Sequence, residues 1–285
     1  MPETKPLPPR RVGTLERSDG CLIYYEVTGS GPAIVFAHGL GGNHMSWFQQ
    51  VAHFAPRYTC VTFAHRGFAP STWVVSGPNP NDYADDLAAL VVHLNLGDVR
   101  VVAQSMGGWC AVEYALRRPP ELRAVVLAAT TGTIDPMRVR EPERSRMAAW
   151  LRFSEATSMA LFEAGVHPAC GARMASEQPA LHLLYRHIDD VNAALDKQAL
   201  RARLGQGRKR APEELASAAC PIMFIANDED AVMPPFAADA IAGVVPGVRA
   251  IHIPDAGHSA YFERPAVFNR LVEEFFADVG AGAIS

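Results

Sequence analysis

Apolar residues fall along this chain in short bursts with two different periods. Ala33–Ala37 (AIVFA), Val99–Ala103 (VRVVA), Leu122–Ala129 (LRAVVLAA) and Pro221–Ala226 (PIMFIA) are nearly continuous apolar runs bounded by turn residues. That is the pattern of strands buried on both faces. Tyr58–Ala64 (YTCVTFA) and Arg249–Ile253 read the same way, and Val12–Arg17 with Leu22–Val27 flank Ser-Asp-Gly as a hairpin. Between these runs the period changes to that of a helix. Asn81–Leu96 sets Tyr83, Leu87, Leu90, Val91 and Leu94 on one face, with Asn81 placed as N-cap and Gly97 as stop. Met106–Arg117 is a second helix, ended by Pro119-Pro120. Pro235–Ala242 is a third, and a last begins at Pro265, where proline suits the first helical position, and reaches about Asp278. Strands alternating with helices predict right-handed βαβ units and a mostly parallel sheet flanked by helices.

The rhythm breaks at Thr130. From Thr131 to Ser217 the patterns are helical, as in Met147–Ala164 and Gln178–Leu204, with no convincing strand. The division is therefore a sheet core formed by 1–130 and 218–285, interrupted by a helical insertion over 131–217. The insertion holds 13 of the 26 basic residues and 11 of the 30 acidic ones, so it is slightly positive in a chain whose net charge is −4. Met147, Trp150, Phe153, Met159 and Phe162 recur in it. Most are expected to be core contacts of an amphipathic helix and a minority an apolar wall over a pocket.

Composition narrows the field further. The 49% hydrophobic and 20% charged content over 285 residues describes a packed soluble domain and excludes a largely disordered chain. Near-neutral charge gives no electrostatic reason to expect nucleic-acid binding. No apolar run of about 18 residues offers a membrane span. Met1–Gly13 lacks the apolar stretch of a secretory signal. Cys21, Cys60, Cys110, Cys170 and Cys220 are odd in number and never spaced as CxxC, which argues for free thiols, a reducing cytoplasm and no zinc site.

Four segments could carry chemistry, and each follows a predicted strand. Val101–Gly108 (VVAQSMGG) runs a strand into Ser105 and a helix out of it. A serine on so sharp a turn sits in a strained conformation and needs small residues two before and two after it, here Ala103 and Gly107. Ser-x-Gly alone would equally suit a helix N-cap; the strand-turn-helix setting favours a nucleophile. His38-Gly39-Leu40-Gly41-Gly42 follows AIVFA. Its glycines permit a tight turn that leaves backbone N–H groups facing a ligand. The amides of Leu40 and Met106 are the two candidate donors to a developing oxyanion. Phe224–Pro235 (FIANDEDAVMPP) offers Asp228, Glu229 and Asp230 as competing acids. Asp255–Pro265 (DAGHSAYFERP) places His258 on a loop after a strand. All four converge at the carboxyl edge of one parallel sheet, where such folds bind ligands. Their order, Ser then acid then His, fits a nucleophile elbow with its partners downstream.

On these motifs the sequence resembles the α/β-hydrolase superfamily over nearly its whole length. It looks closest to the branch of small bacterial esterases, lactonases, cofactor-free haloperoxidases and meta-cleavage-product hydrolases. The resemblance implies an eight-stranded sheet and reads the insertion as a lid that shapes substrate choice. In that branch the acid usually stands four residues before a proline, so Pro234 selects Asp230. The G-H-S-x-Y-F-E-x-P setting of His258 is also typical. Departures are Ala103 and Asn227 where glycine is usual, and Ala64-His65-Arg66-Gly67-Phe68-Ala69-Pro70-Ser71 where D-x-R-G-x-G-x-S is common. The lost aspartate, Ala64 here, is not a triad member, so loop geometry is affected more than chemistry.

The implied function is hydrolysis of a small carboxylic ester or lactone by Ser105, His258 and Asp230, with no cofactor or metal and a small molecule as the partner. His38, Gly39, Gln104 and Trp150 are candidate substrate contacts, and Trp47, Trp109 and His44 could also border the pocket. The competing enzyme reading is carbon–carbon hydrolysis of a dienoic keto acid. Those relatives share S-M-G-G but usually have asparagine where this chain has Gln104. A haloperoxidase-type side activity would use the same residues. A third reading is a hydrolase-fold sensor for a small ligand. Oligomeric state is not readable.

Overall fold

In the computed structural model, which describes residues 6–282, eight strands form a single sheet. They are β1 (Arg10–Glu16), β2 (Leu22–Thr28), β3 (Ala33–Ala37), β4 (Thr59–Phe63), β5 (Val99–Gln104), β6 (Leu122–Ala128), β7 (Ile222–Asn227) and β8 (Arg249–Ile253). Their spatial order is β1-β2-β4-β3-β5-β6-β7-β8. Only β2 pairs antiparallel, with β1 and with β4; every other pairing is parallel. The chain steps from β3 outward to β4, then crosses back over β3 to β5. The carboxyl ends of β3 and β5 therefore flank the point where the winding reverses, the place where a crevice opens in such sheets.

The helices are α1 (Phe48–Phe54), α2 (Tyr83–His93), α3 (Gly108–Leu116), α4 (Glu143–Glu163), α5 (Gly171–Glu177), α6 (Pro179–Asp190), α7 (Lys197–Gly207), α8 (Ala237–Ala242), α9 (Ala260–Glu263) and α10 (Pro265–Gly280). Strand alternation builds two cores. On one face Val35, Val101, Leu127 and Phe224 pack with Leu87 and Leu90 of α2 and Val112 of α3. On the other, Ile34, Phe36, Val102 and Ile225 pack with Phe54 of α1 and Phe268, Val272 and Phe275 of α10. A central strand covered on both faces has no polar position to offer, hence AIVFA.

Boundaries differ from the sequence reading where local chemistry intervenes. Asn81 is not the cap before α2. Asn79 is, accepting from the Asn81 amide at 3.2 Å ahead of a 3-10 turn that begins at Pro80. Nor does Gly97 end that helix: Asn95 takes the left-handed conformation at φ 51. The segment Gln178–Leu204 is two helices. The chain breaks after α6, where buried Asn192 accepts the Ala69 amide at 2.7 Å, and restarts at α7, where Asp196 caps the Ala199 amide at 2.9 Å.

Helices α4–α7 lie between β6 and β7. The base of this insertion is clipped: Asp135 donates to the Arg210 carbonyl at 2.9 Å and Arg210 to that of Thr133 at 3.0 Å. Among the described residues no helix is long and apolar enough to cross a membrane.

Candidate active site

Ser105 sits at φ 49 between β5 and α3. A non-glycine residue there costs about 1–3 kcal/mol, a strain that surrounding structure must hold. The surroundings do so by close packing. A Cβ on Gly107 would drive into the Ala37 carbonyl of β3, and one on Gly108 would meet Thr130 Oγ1 at 2.5 Å. Fully buried Ala103 completes the small set.

Of the three competing acids, the structure brings one to the histidine. His258 Nδ1 lies 2.8 Å from Asp230 Oδ2, and both side chains are buried. The other oxygen of Asp230 accepts the amides of Val232 and Met233 at 2.7 and 2.9 Å, which fixes the carboxylate plane. Asp228 instead binds His252 at 2.6 Å, and Glu229 binds Arg173 at 2.6 Å. With Nδ1 committed to the carboxylate, Nε2 is the ring nitrogen left available for another partner. His258 and Ser105 line one cavity, and no hydrogen bond joins the serine hydroxyl to the ring in this conformation. Serine–histidine hydrogen bonds in ligand-free sites are often long and tighten only with a ligand present. Glu263, beneath the histidine loop, accepts the Gly257 amide, and burial pushes its pKa up to about 7.

Leu40 and Met106 both line the cavity beside Ser105. The Leu40 amide has no backbone acceptor among the loop hydrogen bonds, and Met106 lies in a first helical turn, where N–H groups lack helical partners. Gly39 is glycine because a Cβ would strike Gln104 Oε1 and come within 3.1 Å of Ser105 Cβ. Gln104 in turn donates to the His258 carbonyl at 3.2 Å, tying the Ser105 turn to the histidine loop.

His38 supports its loop and does not face a ligand. It is fully buried, its Nδ1 is 2.8 Å from the Gly39 carbonyl, and its Nε2 accepts the His65 amide at 3.0 Å. Burial lowers its pKa to about 3, so the ring is neutral. His65 packs against it at 4.6 Å between ring centres. The loop that lacks the usual aspartate at Ala64 is held instead through Arg66, which grips Asp86 at 2.6 Å through two nitrogens.

The cavity holds about 850 Å³ and is shared by sheet edge and insertion. From α4 come Glu155, Ser158, Met159, Phe162 and Glu163, an i, i+3, i+4, i+7, i+8 stripe. Trp150 does not line it. At about 100° per residue it falls on the far side of that stripe. Trp47 is also no contact, being fully buried against Tyr261 at 4.4 Å, and His44 packs on Tyr24. Trp109 does line it, as does Gln104. The expectation of core contacts on α4 holds for Met147 alone of the five residues named; Phe153, Met159 and Phe162 are exposed. The sequence reading missed Tyr185, Lys197, Arg201 and Arg208 as lining residues. Only the excess of arginine in the insertion hinted at the last two. Among the described residues no group of His, Cys, Asp or Glu converges to hold a metal ion.

A strained serine on a strand-to-helix turn, a carboxylate-bound histidine and this sheet order define a class. The family model described as the alpha/beta hydrolase fold matches residues 32–265, and the chain belongs to that family. BpoC of Mycobacterium tuberculosis, which carries the name of a non-heme bromoperoxidase, is 30% identical over 277 residues, covering 91% of this chain and 99% of its own. Among solved structures, Est816, described as an N-acyl homoserine lactone degrading enzyme, superposes with a TM-score of 0.73 at 25% identity over 92% of this chain and 100% of its own. A thermophilic esterase from Thermogutta terrifontis shares the fold at a TM-score of 0.72 and 23% identity, covering 94% of this chain and 99% of its own.

Proposed function

We propose that this α/β hydrolase is a serine hydrolase of small carboxylic esters or lactones. The observation that carries the reading is the buried His258–Asp230 pair opening onto the cavity that Ser105 also lines. In the proposed cycle His258 Nε2 takes the Ser105 proton as Oγ attacks the carbonyl carbon. Asp230 holds the ring and stabilises the imidazolium, and the amides of Leu40 and Met106 receive the oxyanion. Collapse expels the alcohol with that proton, leaving an acyl-enzyme. Water, deprotonated by the same nitrogen, then releases the acid. No step calls for a metal or organic cofactor. Helices α4–α7 act as the lid. The five free cysteines fit a reducing compartment, and we place the enzyme in the cytoplasm.

The cationic residues Lys197, Arg201 and Arg208 in the cavity support one second reading, carbon–carbon hydrolysis of an acidic dienoic keto acid by the same residues. A panel of p-nitrophenyl esters, lactones and a dienoic keto acid, assayed on wild type and Ser105→Ala, tests both. The ester reading expects multiple turnovers on esters or lactones and a fall on the order of 10⁴–10⁶ in kcat for Ser105→Ala, with Tm unchanged. Faster turnover of the keto acid would move the assignment to carbon–carbon cleavage. Saturable binding without turnover would favour a sensor, and near-normal activity in Ser105→Ala would end the serine mechanism.

A further inference from the structure

We infer that Arg208 is an anion-recognition site inside the cavity, selecting substrates that carry a free carboxylate remote from the bond that is broken. The inference rests on the reading of this cavity as the substrate pocket. Several cations of the insertion are already engaged, and Arg201, which also lines the cavity, is exposed to solvent. Lys197 sits on Asp189 at 2.6 Å, Arg210 on Glu113 at 2.8 Å and Glu214 at 3.0 Å, and Arg203 on the carbonyl of Gly77 at 2.8 Å. Arg208 differs. It lines the cavity with Ser105 and His258, its Nε is buried with no hydrogen-bond partner, and its side chain's one hydrogen bond among the described residues is from Nη2 to Met233 Sδ at 3.9 Å. The one acid acting on it is Asp135, which makes no ion pair with it, and burial lowers its pKa. A guanidinium stays charged even so. Among the described residues, the cavity wall therefore holds a desolvated cation without a counter-ion.

The group is also held in place. Its guanidinium lies 5.0 Å over the Trp109 ring, and Trp109 Nε1 donates to the Leu204 carbonyl at 3.2 Å. Gly207 lets the chain turn over the indole, since a Cβ there would stand 3.0 Å from that nitrogen. Arg208 is thus stacked between the end of α7 and the start of α3, with its donors already arranged. A planar fork of donors matches a carboxylate through two parallel hydrogen bonds. Glu155 and Glu163 line the same cavity from α4 and, among the described residues, pair with no cation. Their negative charge disfavours a compact, multiply charged anion such as phosphate in this cavity.

The test uses mono-p-nitrophenyl succinate, glutarate and adipate, each paired with its ω-methyl ester, and reads the kcat/KM ratio within each pair. That ratio cancels general damage to the enzyme. Wild type should favour the best acid of the series over its methyl ester by about tenfold or more. Arg208→Gln should abolish the preference and Arg208→Lys should keep part of it. Equal ratios in wild type across the series, or a preference that survives Arg208→Gln, would overturn the site. Calorimetry of glutarate binding to Ser105→Ala and to Ser105→Ala/Arg208→Gln separates this inference from the hydrolase reading. Binding lost only in the double variant supports the anion site even if no ester is turned over. Absence of binding to Ser105→Ala, with wild type active on esters, overturns the anion site and leaves the hydrolase reading intact.

Discussion

Two helices that meet at the same cavity are built on opposite terms. Helix α3, which follows Ser105, buries seven of its nine residues; helix α4, which faces it from the insertion, buries one of twenty-one. The first is wedged between sheet and neighbouring helices so closely that Gly107 and Gly108 leave no room for a Cβ. The second presents Phe153 and Phe162 to solvent at 69% and 76% exposure. Chemistry at a serine hydroxyl depends on sub-ångström placement, and placement comes from packing. On the proposed reading, substrate choice rests on a helix with little buried surface, one that can be altered without unfolding the sheet.

The largest expected effect lies on the rigid side. Asp230→Asn keeps the volume but spoils the carboxylate's hold on His258, and kcat should fall by about 10⁴ with the fold intact; a loss smaller than tenfold in stopped-flow or steady-state assays would remove Asp230 from the mechanism. Next comes packing. Phe36 is fully buried in β3, so Phe36→Ala should lower unfolding free energy by about 3–5 kcal/mol in a urea titration. A change under 1 kcal/mol would mean the sheet core is not the stabilising unit described.

A pH effect of smaller size comes from His38. Its folded pKa is lowered from 6.5 to about 3 by burial. Between those values the unfolded chain binds more protons, so the stabilisation from a neutral ring is complete above pH 6.5 and is lost as pH falls toward 3. His38→Gln should shrink the stability difference between pH 7 and pH 4 by on the order of 2 kcal/mol. An unchanged difference in urea midpoints at the two pH values would contradict the buried neutral assignment. The smallest effect belongs to the insertion. Phe162→Ala should shift stability by no more than about 0.5 kcal/mol while altering KM for bulky acyl groups. If stability dropped as much as in Phe36→Ala, the contrast between the two helices would fail.

What the sequence made legible follows the same division. The apolar run Ala33–Ala37 matched β3 residue for residue, because burial on both faces leaves only one way to write such a strand. Ser105 and His258 could be named from motifs whose backbone demands are local, whereas Asp230 is chosen over Asp228 and Glu229 only through the resemblance, by way of Pro234. Their grouping into a class came from resemblance. The insertion was harder. Its second helix was read as one because the break at Asn192 is fixed by a distant amide, that of Ala69, although the Asp196 cap was readable. Trp150 looked like a pocket residue, yet the face α4 turns inward is set by how the insertion seats on the core. Arg208 carries no local signal at all: its character comes from Trp109 beneath it and the absence of an acid beside it.

The most direct test of the central claim is covalent labelling. Wild type and His258→Ala are treated with an aryl fluorophosphonate, and the modified residue is mapped by peptide mass spectrometry. The account predicts a single stoichiometric adduct on Ser105 that forms rapidly in wild type and slows by orders of magnitude in His258→Ala. An adduct on any other residue, or equal labelling rates in the two proteins, would contradict it.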